Sequence, residues 1–172
     1  MLRDAGFIVD TGQLGRLLII SLETIAAAPD TVTLLTQEAR LSKELYKLVA
    51  RGTNYGDFTR AKRGSGLDPA NRFLDHGNYL AYGLAATAVW VLGIPPAGLA
   101  VLHGKTRRGG LVFDVADLVK DAIILPQAFI SAMRGDQEQE FRQTCVISLT
   151  RIEALDFMVD TLKTVALETA RG

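Results

Sequence analysis

The sequence predicts an all-α fold, one multi-helix domain over residues 1–172, and three observations carry that prediction. Apolar residues recur at helical period in nearly every segment between the Gly and Pro breakers. Strand signals are weak, and no hairpin turn joins two alternating runs. No internal repeat and no low-complexity linker divides the chain. With 48% hydrophobic residues, 172 residues suffice to bury a core.

The first helix is expected from about Thr11 to Ala28, stopping before Pro29 and Asp30, with Leu14, Leu17, Leu18, Ser21, Leu22 and Ile25 as its inner stripe. The second runs from about Asp30 to Val49, turns Leu34, Leu41, Leu45 and Leu48 inward, and has Gly52 near its C-terminal end. Residues 51–66 read as a glycine-rich loop carrying Arg60, Lys62 and Arg63. Asp68 followed by Pro69 is a strong helix start, a side-chain cap and then proline at the first helical position. That helix reaches Trp90 or Leu92. Its apolar second half, Leu84 to Val91, marks it as the central one. Residues 93–110 form a long Gly- and Pro-containing connection, of a kind often functional in compact domains. The next helix starts near Val112, meets Pro126 and resumes to about Met133. Asp136 and Gln139 have capping-box spacing, opening a last helix that runs to about Leu167.

Composition narrows the function. The formal net charge is zero, which argues against a uniformly basic nucleic-acid coat while leaving room for a basic face. The single cysteine, Cys145, excludes an internal disulfide; it reads as a buried helix residue in a reducing compartment. Gly93, Pro95, Pro96 and Gly98 interrupt the apolar run from Leu84 to Val101, so no membrane span is expected, and the N-terminus lacks a signal-peptide layout.

The chemistry concentrates in Val112 to Asp121. Residues three apart on a helix differ by roughly 60°, so Asp114 and Asp117 project from one side, with Asp121 between them in angle and one turn on. Like charges at that spacing repel, and a divalent cation would turn the repulsion into attraction. His103 precedes this helix in Leu102-His103-Gly104-Lys105. Two carboxylates and an imidazole, with positions left for water and phosphate, suit Mn²⁺ and tolerate Mg²⁺ less well. A third carboxylate must come from elsewhere, and Glu38 on the second helix is the candidate. Lys105, Arg107 and Arg108 follow His103 closely. With Arg60, Lys62 and Arg63 they make two basic groups suited to backbone phosphates. Lys105 to Gly110 has glycine on both sides, so its backbone can approach a phosphate closely. A structural reading stands beside this one: the acids as macrodipole partners, the histidine as a loop residue and the basic loops as solvated segments.

Several ordered segments add a resemblance. Asn71-Arg72-Phe73-Leu74, Gly77 to Gly83, Gly93-Ile94-Pro95, Leu102-His103-Gly104, Phe113 to Asp121 and Leu125 to Phe129, in this order, resemble CRISPR-associated protein 1. The wording of Phe58 to Gly66 and of His103 to Gly110 resembles its subtype I-F branch, and the match covers about Leu34 to Leu162. The resemblance implies a metal-dependent DNA endonuclease and integrase of spacer acquisition. Its metal ligands are Glu38, His103 and Asp114, with Asp117 alongside, a supporting Lys120, and Asn71 and Tyr82 as neighbouring packing positions. It implies Mn²⁺ or Mg²⁺ as the ion and attack of a 3′-hydroxyl on a phosphodiester as the reaction. It also implies branched or spacer-like DNA as partner, with CRISPR-associated protein 2, fused in this subtype to the nuclease-helicase. A homodimer in the full-length protein and a prokaryotic cytoplasmic location follow as well. The family's N-terminal β-rich domain, which pairs two subunits, has no counterpart in this sequence. The alternative within the family is therefore a truncated, non-catalytic DNA-binding or subunit-binding module.

Overall fold

The computed structural model describes every residue except Val9, 62–67, Gly98, Val101, 105–107 and Gly172. Three helices start on an aspartate whose carboxylate accepts a backbone N–H one turn on, satisfying donors that the helix itself leaves unpaired. Asp10 caps α1 (Thr11–Ala26) through Gln13 N at 2.8 Å, and Asp30 caps α2 (Thr31–Gly52) through Thr33 N at 2.7 Å. Asp68 caps α3 (Pro69–Val91) through Asn71 N at 3.3 Å, with Pro69 at the first helical position as expected. Then follow α4 (Gly110–Val119), a π-helical turn (Lys120–Ile124), α5 (Leu125–Arg134), α6 (Glu138–Arg151) and α7 (Ala154–Arg171). No strand occurs among the described residues, and none of their helices is long and apolar enough to cross a membrane.

The central helix is α3, which packs against α4, the π turn, α5, α6 and α7. Small residues make this possible: Ala70, Ala81, Ala85 and Ala88 are fully buried along it. Gly77 faces the π turn and α6, where a Cβ would overlap the Ile124 side chain and come within 3.1 Å of Phe141 Cζ. Cys145 is buried on α6, as its apolar surroundings predict, and burial pushes its thiol up to about 12. Against α2, α1 makes a pair.

Three expectations change and one is refined. The inner stripe of α1 is narrower than its pattern suggests, because Leu18 and Leu22 are exposed while Leu14, Leu17 and Ser21 face the protein. The helix meeting Pro126 does stop being α-helical and resume, as expected, but it does so through a π turn rather than a break in the chain. Proline lacks an N–H and its ring collides with the carbonyl four residues back in an α-helix, and the wider π turn directly before it takes up that collision. The last helix is two helices, α6 and α7, separated at Ile152 and Glu153, the latter at φ 52°. The capping box that opens α6 uses Gln137 and Glu140, one residue later than Asp136 and Gln139; Asp136 instead accepts from Ser131 Oγ at 2.7 Å.

Candidate active site

The site begins at a pair of glycines. Gly109 lies at φ 72°, a left-handed conformation that costs a residue with a Cβ, and it is the N-cap of α4. Leu111 N donates to Pro96 O at 3.0 Å, which ties the start of α4 to the preceding connection. One turn into α4, the Asp114 carboxylate takes hold of that connection. Leu102 N donates to its Oδ2 at 3.1 Å and His103 N to its Oδ1 at 3.1 Å. His103 Nδ1 lies 2.7 Å from the same Oδ1. An ionised carboxylate only accepts, so the proton of that bond sits on Nδ1. The imidazole also rests 5.7 Å from the Phe113 ring, which meets Tyr82 edge-on at 4.8 Å.

Asp117 projects from the same side of α4, as its spacing predicts, with Oδ2 4.0 Å from His103 Nδ1. Its Oδ1 is buried and pairs with the Lys120 ammonium, though no hydrogen bond of good geometry reaches it. Lys120 Nζ also stands 5.4 Å from the centre of the Tyr82 ring. Burial pulls the Lys120 pKa down, but Asp117, with Tyr82 and Asp121 behind it, more than offsets this and holds it above the ordinary lysine value. Lys120 is thus a fixed cation at neutral pH.

The π turn begins at Lys120, directly before Asp121, which stays in electrostatic reach of Asp117 and Lys120. Asp121 also joins a second group around Tyr46, whose hydroxyl feels the charges of Asp121, Arg60, Lys120 and Glu38. Glu38, half-buried on α2, accepts from Ser42 Oγ at 3.0 Å. It lines a cleft of about 430 Å³ with Lys43, Tyr46, Lys47, Phe58 and Arg60. Crowding by protein pushes the Asp121 carboxyl up to about 6, Lys120 drawing it back while Asp117 and Glu38 add to the rise. Asp121 keeps an exposed face, so water and salt screen part of this effect.

A pH dependence follows. The folded protein holds the Asp121 proton more tightly than the unfolded chain, whose carboxyl titrates near 3.8. Stability therefore falls as pH rises from about 4 to about 6, and the penalty persists above. Asp121→Asn should raise the melting temperature at about pH 7.5, and the gain should shrink towards zero near pH 4. Thermal melts at the two pH values decide it; an equal gain at both would mean that the Asp121 charge is not the cause.

The remaining basic residues divide. Arg60 forms an ion pair with Asp75 and donates to Asn71 Oδ1 at 2.7 Å, so its guanidinium is anchored to α3. Asn71 also accepts from Ala61 N at 3.0 Å and donates to Thr59 O at 3.0 Å, which fixes this edge of the Glu38 cleft. Arg108 is exposed in the turn before α4. Lys62, Arg63, Lys105 and Arg107 lie outside the described residues. Sequence reasoning gives no role to Tyr46 or Asp75, and it reads Gly110 as allowing close approach of a phosphate rather than of the His103 backbone.

The chemistry of the donor set fits a divalent cation: one imidazole, several carboxylates, and one buried carboxylate oxygen, Asp117 Oδ1, that among the described residues pairs with an ammonium and accepts no well-formed hydrogen bond. The arrangement is less complete than the chemistry. Among the described residues, no three His, Cys, Asp or Glu side chains are gathered into a group that would hold an ion. His103 and Asp114 meet directly and Asp117 stands beside them, whereas Glu38 stands in its own cleft on the side of Tyr46 and Asp121.

No family model matches the chain. It is 70% identical over 166 residues to the CRISPR-associated endonuclease Cas1 of Pseudomonas aeruginosa strain UCBPP-PA14, covering 96% of this chain and 51% of that protein. It is 69% identical over 132 residues to the CRISPR-associated endonuclease Cas1 of Pectobacterium atrosepticum, covering 77% and 40%. The chain thus spans about half the length, or less, of these relatives. Among solved structures, the TtCas1–DNA complex superposes with a TM-score of 0.68 at 28% identity, over 77% of this chain and 48% of that one. The TtCas1 structure superposes with 0.70 at 24% identity, over 89% and 60%, a likeness of fold alone.

Proposed function

Because this chain belongs to the family of the CRISPR-associated endonuclease Cas1, we propose that it carries a DNA-cutting centre used in CRISPR spacer acquisition. One observation carries the proposal. An imidazole, two carboxylates and a fixed ammonium converge from one loop and one helix face, next to Asp121, whose carboxyl feels the charge of Glu38. The substrate is a phosphodiester in DNA, a reading supported by the solved DNA complex of a relative with this fold.

The residues divide the work. Asp114 orients His103. Asp117 holds Lys120 as a cation, which offsets charge that builds on a phosphate oxygen during attack. Arg60, anchored by Asp75 and Asn71, steadies the backbone of the incoming strand at the cleft beside Glu38. Mn²⁺ or Mg²⁺, held by Glu38, His103 and Asp114, with Asp114 giving up its bond to the imidazole Nδ1 to do so, would polarise a phosphate oxygen and activate a hydroxyl or water. In the finer form of the reaction a 3′-hydroxyl attacks phosphorus, the new P–O bond forms, and the opposite P–O bond breaks to release the other strand's 3′-oxygen. In the whole protein this takes a second subunit and CRISPR-associated protein 2 as partners.

A second reading has its own observation. The described donors are not gathered three together, as suits a module that binds DNA or a sister subunit without cutting. End-labelled branched DNA, incubated with the chain in Mn²⁺, Mg²⁺ or EDTA, separates the two. The nuclease reading expects nicking in Mn²⁺, less in Mg²⁺ and none in EDTA. Binding of the same DNA without nicking in either ion would leave the non-catalytic module.

A further inference from the structure

We infer that Gly110 is a positioning residue for His103: its missing side chain lets the start of α4 lie against the histidine's backbone, and Asp114 then pins the loop in that contact before any cation or DNA arrives. This rests on the reading of His103 as part of the nuclease centre. A Cβ built on Gly110 would lie 2.7 Å from His103 C, 2.7 Å from His103 O and 2.9 Å from Gly104 N. All three are backbone atoms, so no side-chain rotation relieves the clash. Alanine at 110 must lift the loop, although an alanine there is otherwise the better helix former.

The loop so admitted is held by an unusually full set of donors. Two consecutive backbone N–H groups, of Leu102 and His103, and the imidazole Nδ1 all converge on the Asp114 carboxylate, at 3.1, 3.1 and 2.7 Å. Charge-assisted bonds of this kind are about twice as strong as neutral ones. Fixing the backbone at 102 and 103 fixes where the ring begins, and the third bond fixes how it turns. The consequence is a defined tautomer: the neutral ring carries its proton on Nδ1, opposite to the preference of a solvated imidazole, and presents Nε2 as a lone pair. A nearby glycine acts on its own account. Gly104 is packed on Ala100 O, where its own Cβ would come to 2.8 Å, a contact within the loop that Gly110 does not share.

The chain has two histidines, His76 and His103, so the imidazole nitrogens can be read directly by ¹⁵N-detected NMR in EDTA, without DNA. The wild-type protein should show His103 in the Nδ1–H form, with His76 as internal reference. Gly110→Ala should lose that signature and leave the His76 signals where they were. An unmoved His103 in folded Gly110→Ala, or an Nε2–H ring in the wild type, overturns the inference. Should Gly110→Ala fail to fold, Asp114→Ala, which removes every acceptor from a helix that tolerates alanine, must abolish the Nδ1–H form; its survival there also overturns it. Because no ion and no DNA take part, this result is independent of whether the centre cuts DNA.

Discussion

Phe129→Ala is expected to remove about 3–5 kcal/mol of folding stability, the usual cost of deleting a fully buried aromatic side chain. Phe129 lies on α5 with no exposed surface, and two other rings lean on it. Tyr55 meets it edge-on at 5.1 Å and Phe58 at 4.8 Å, while Tyr46 reaches Phe58 at 5.6 Å. Each such pair adds about 0.5–1.5 kcal/mol beyond the area it buries, so the cost belongs in the upper part of the range. A domain of this size has only about 5–15 kcal/mol in total. Urea denaturation followed by helical circular dichroism measures the effect; a loss under about 1 kcal/mol would mean that the neighbours collapse into the space. The cluster also supports the cleft proposed to take the DNA strand. Phe58 is two residues before Arg60, and Tyr46 shares the Glu38 cleft. Phe129→Ala should therefore loosen the cleft edge before it unfolds the domain, weakening DNA binding at urea concentrations where the helices persist.

How much of this was readable in the sequence differs from element to element. Asp68-Pro69 announces α3 because capping and the fixed φ of proline act within four residues, and the apolar stretch of α3 marks the buried centre. Asp114 and Asp117 share a side of α4 because helical periodicity alone puts them there. The π turn at Lys120–Ile124 has no such local rule. It is a compromise between Pro126, which cannot continue a regular helix, and packing of Ile124 into the notch that Gly77 leaves. Asp121 sits on that turn, within reach of Asp117 and Lys120. The end of α6 was missed for a related reason: Ile152 and Glu153 carry no Gly or Pro, and Glu153 adopts φ 52° because the chain must turn there to return α7 along α3. Within the site, the His103–Asp114 bond joins residues eleven apart through a loop whose course depends on Gly110. Sequence order brings these residues near one another; only the fold decides which atoms meet.

The largest expected effect on activity is that of His103→Ala, which should lower DNA nicking in Mn²⁺ by at least about a hundredfold, the usual contribution of a positioned acid–base or ligating imidazole. Stability argues for the specificity of that loss. His103 is only partly buried, and its removal leaves the Asp114 carboxylate with the backbone donors of Leu102 and residue 103. The loop therefore stays pinned while the reactive ring is gone, and the melting temperature should change little. Lys120→Met makes the informative contrast. It strips Asp117 of its ion-pair partner in a partly buried setting, and an uncompensated charge there costs far more than an exposed one. Lys120→Met should thus lose both stability and activity, whereas His103→Ala loses activity alone. Undiminished nicking by His103→Ala, in a preparation that wild-type controls show to be free of contaminating nuclease, would remove His103 from the centre. Equal destabilisation by the two variants would mean instead that the imidazole, and not the backbone of its loop, is what Asp114 is there to hold.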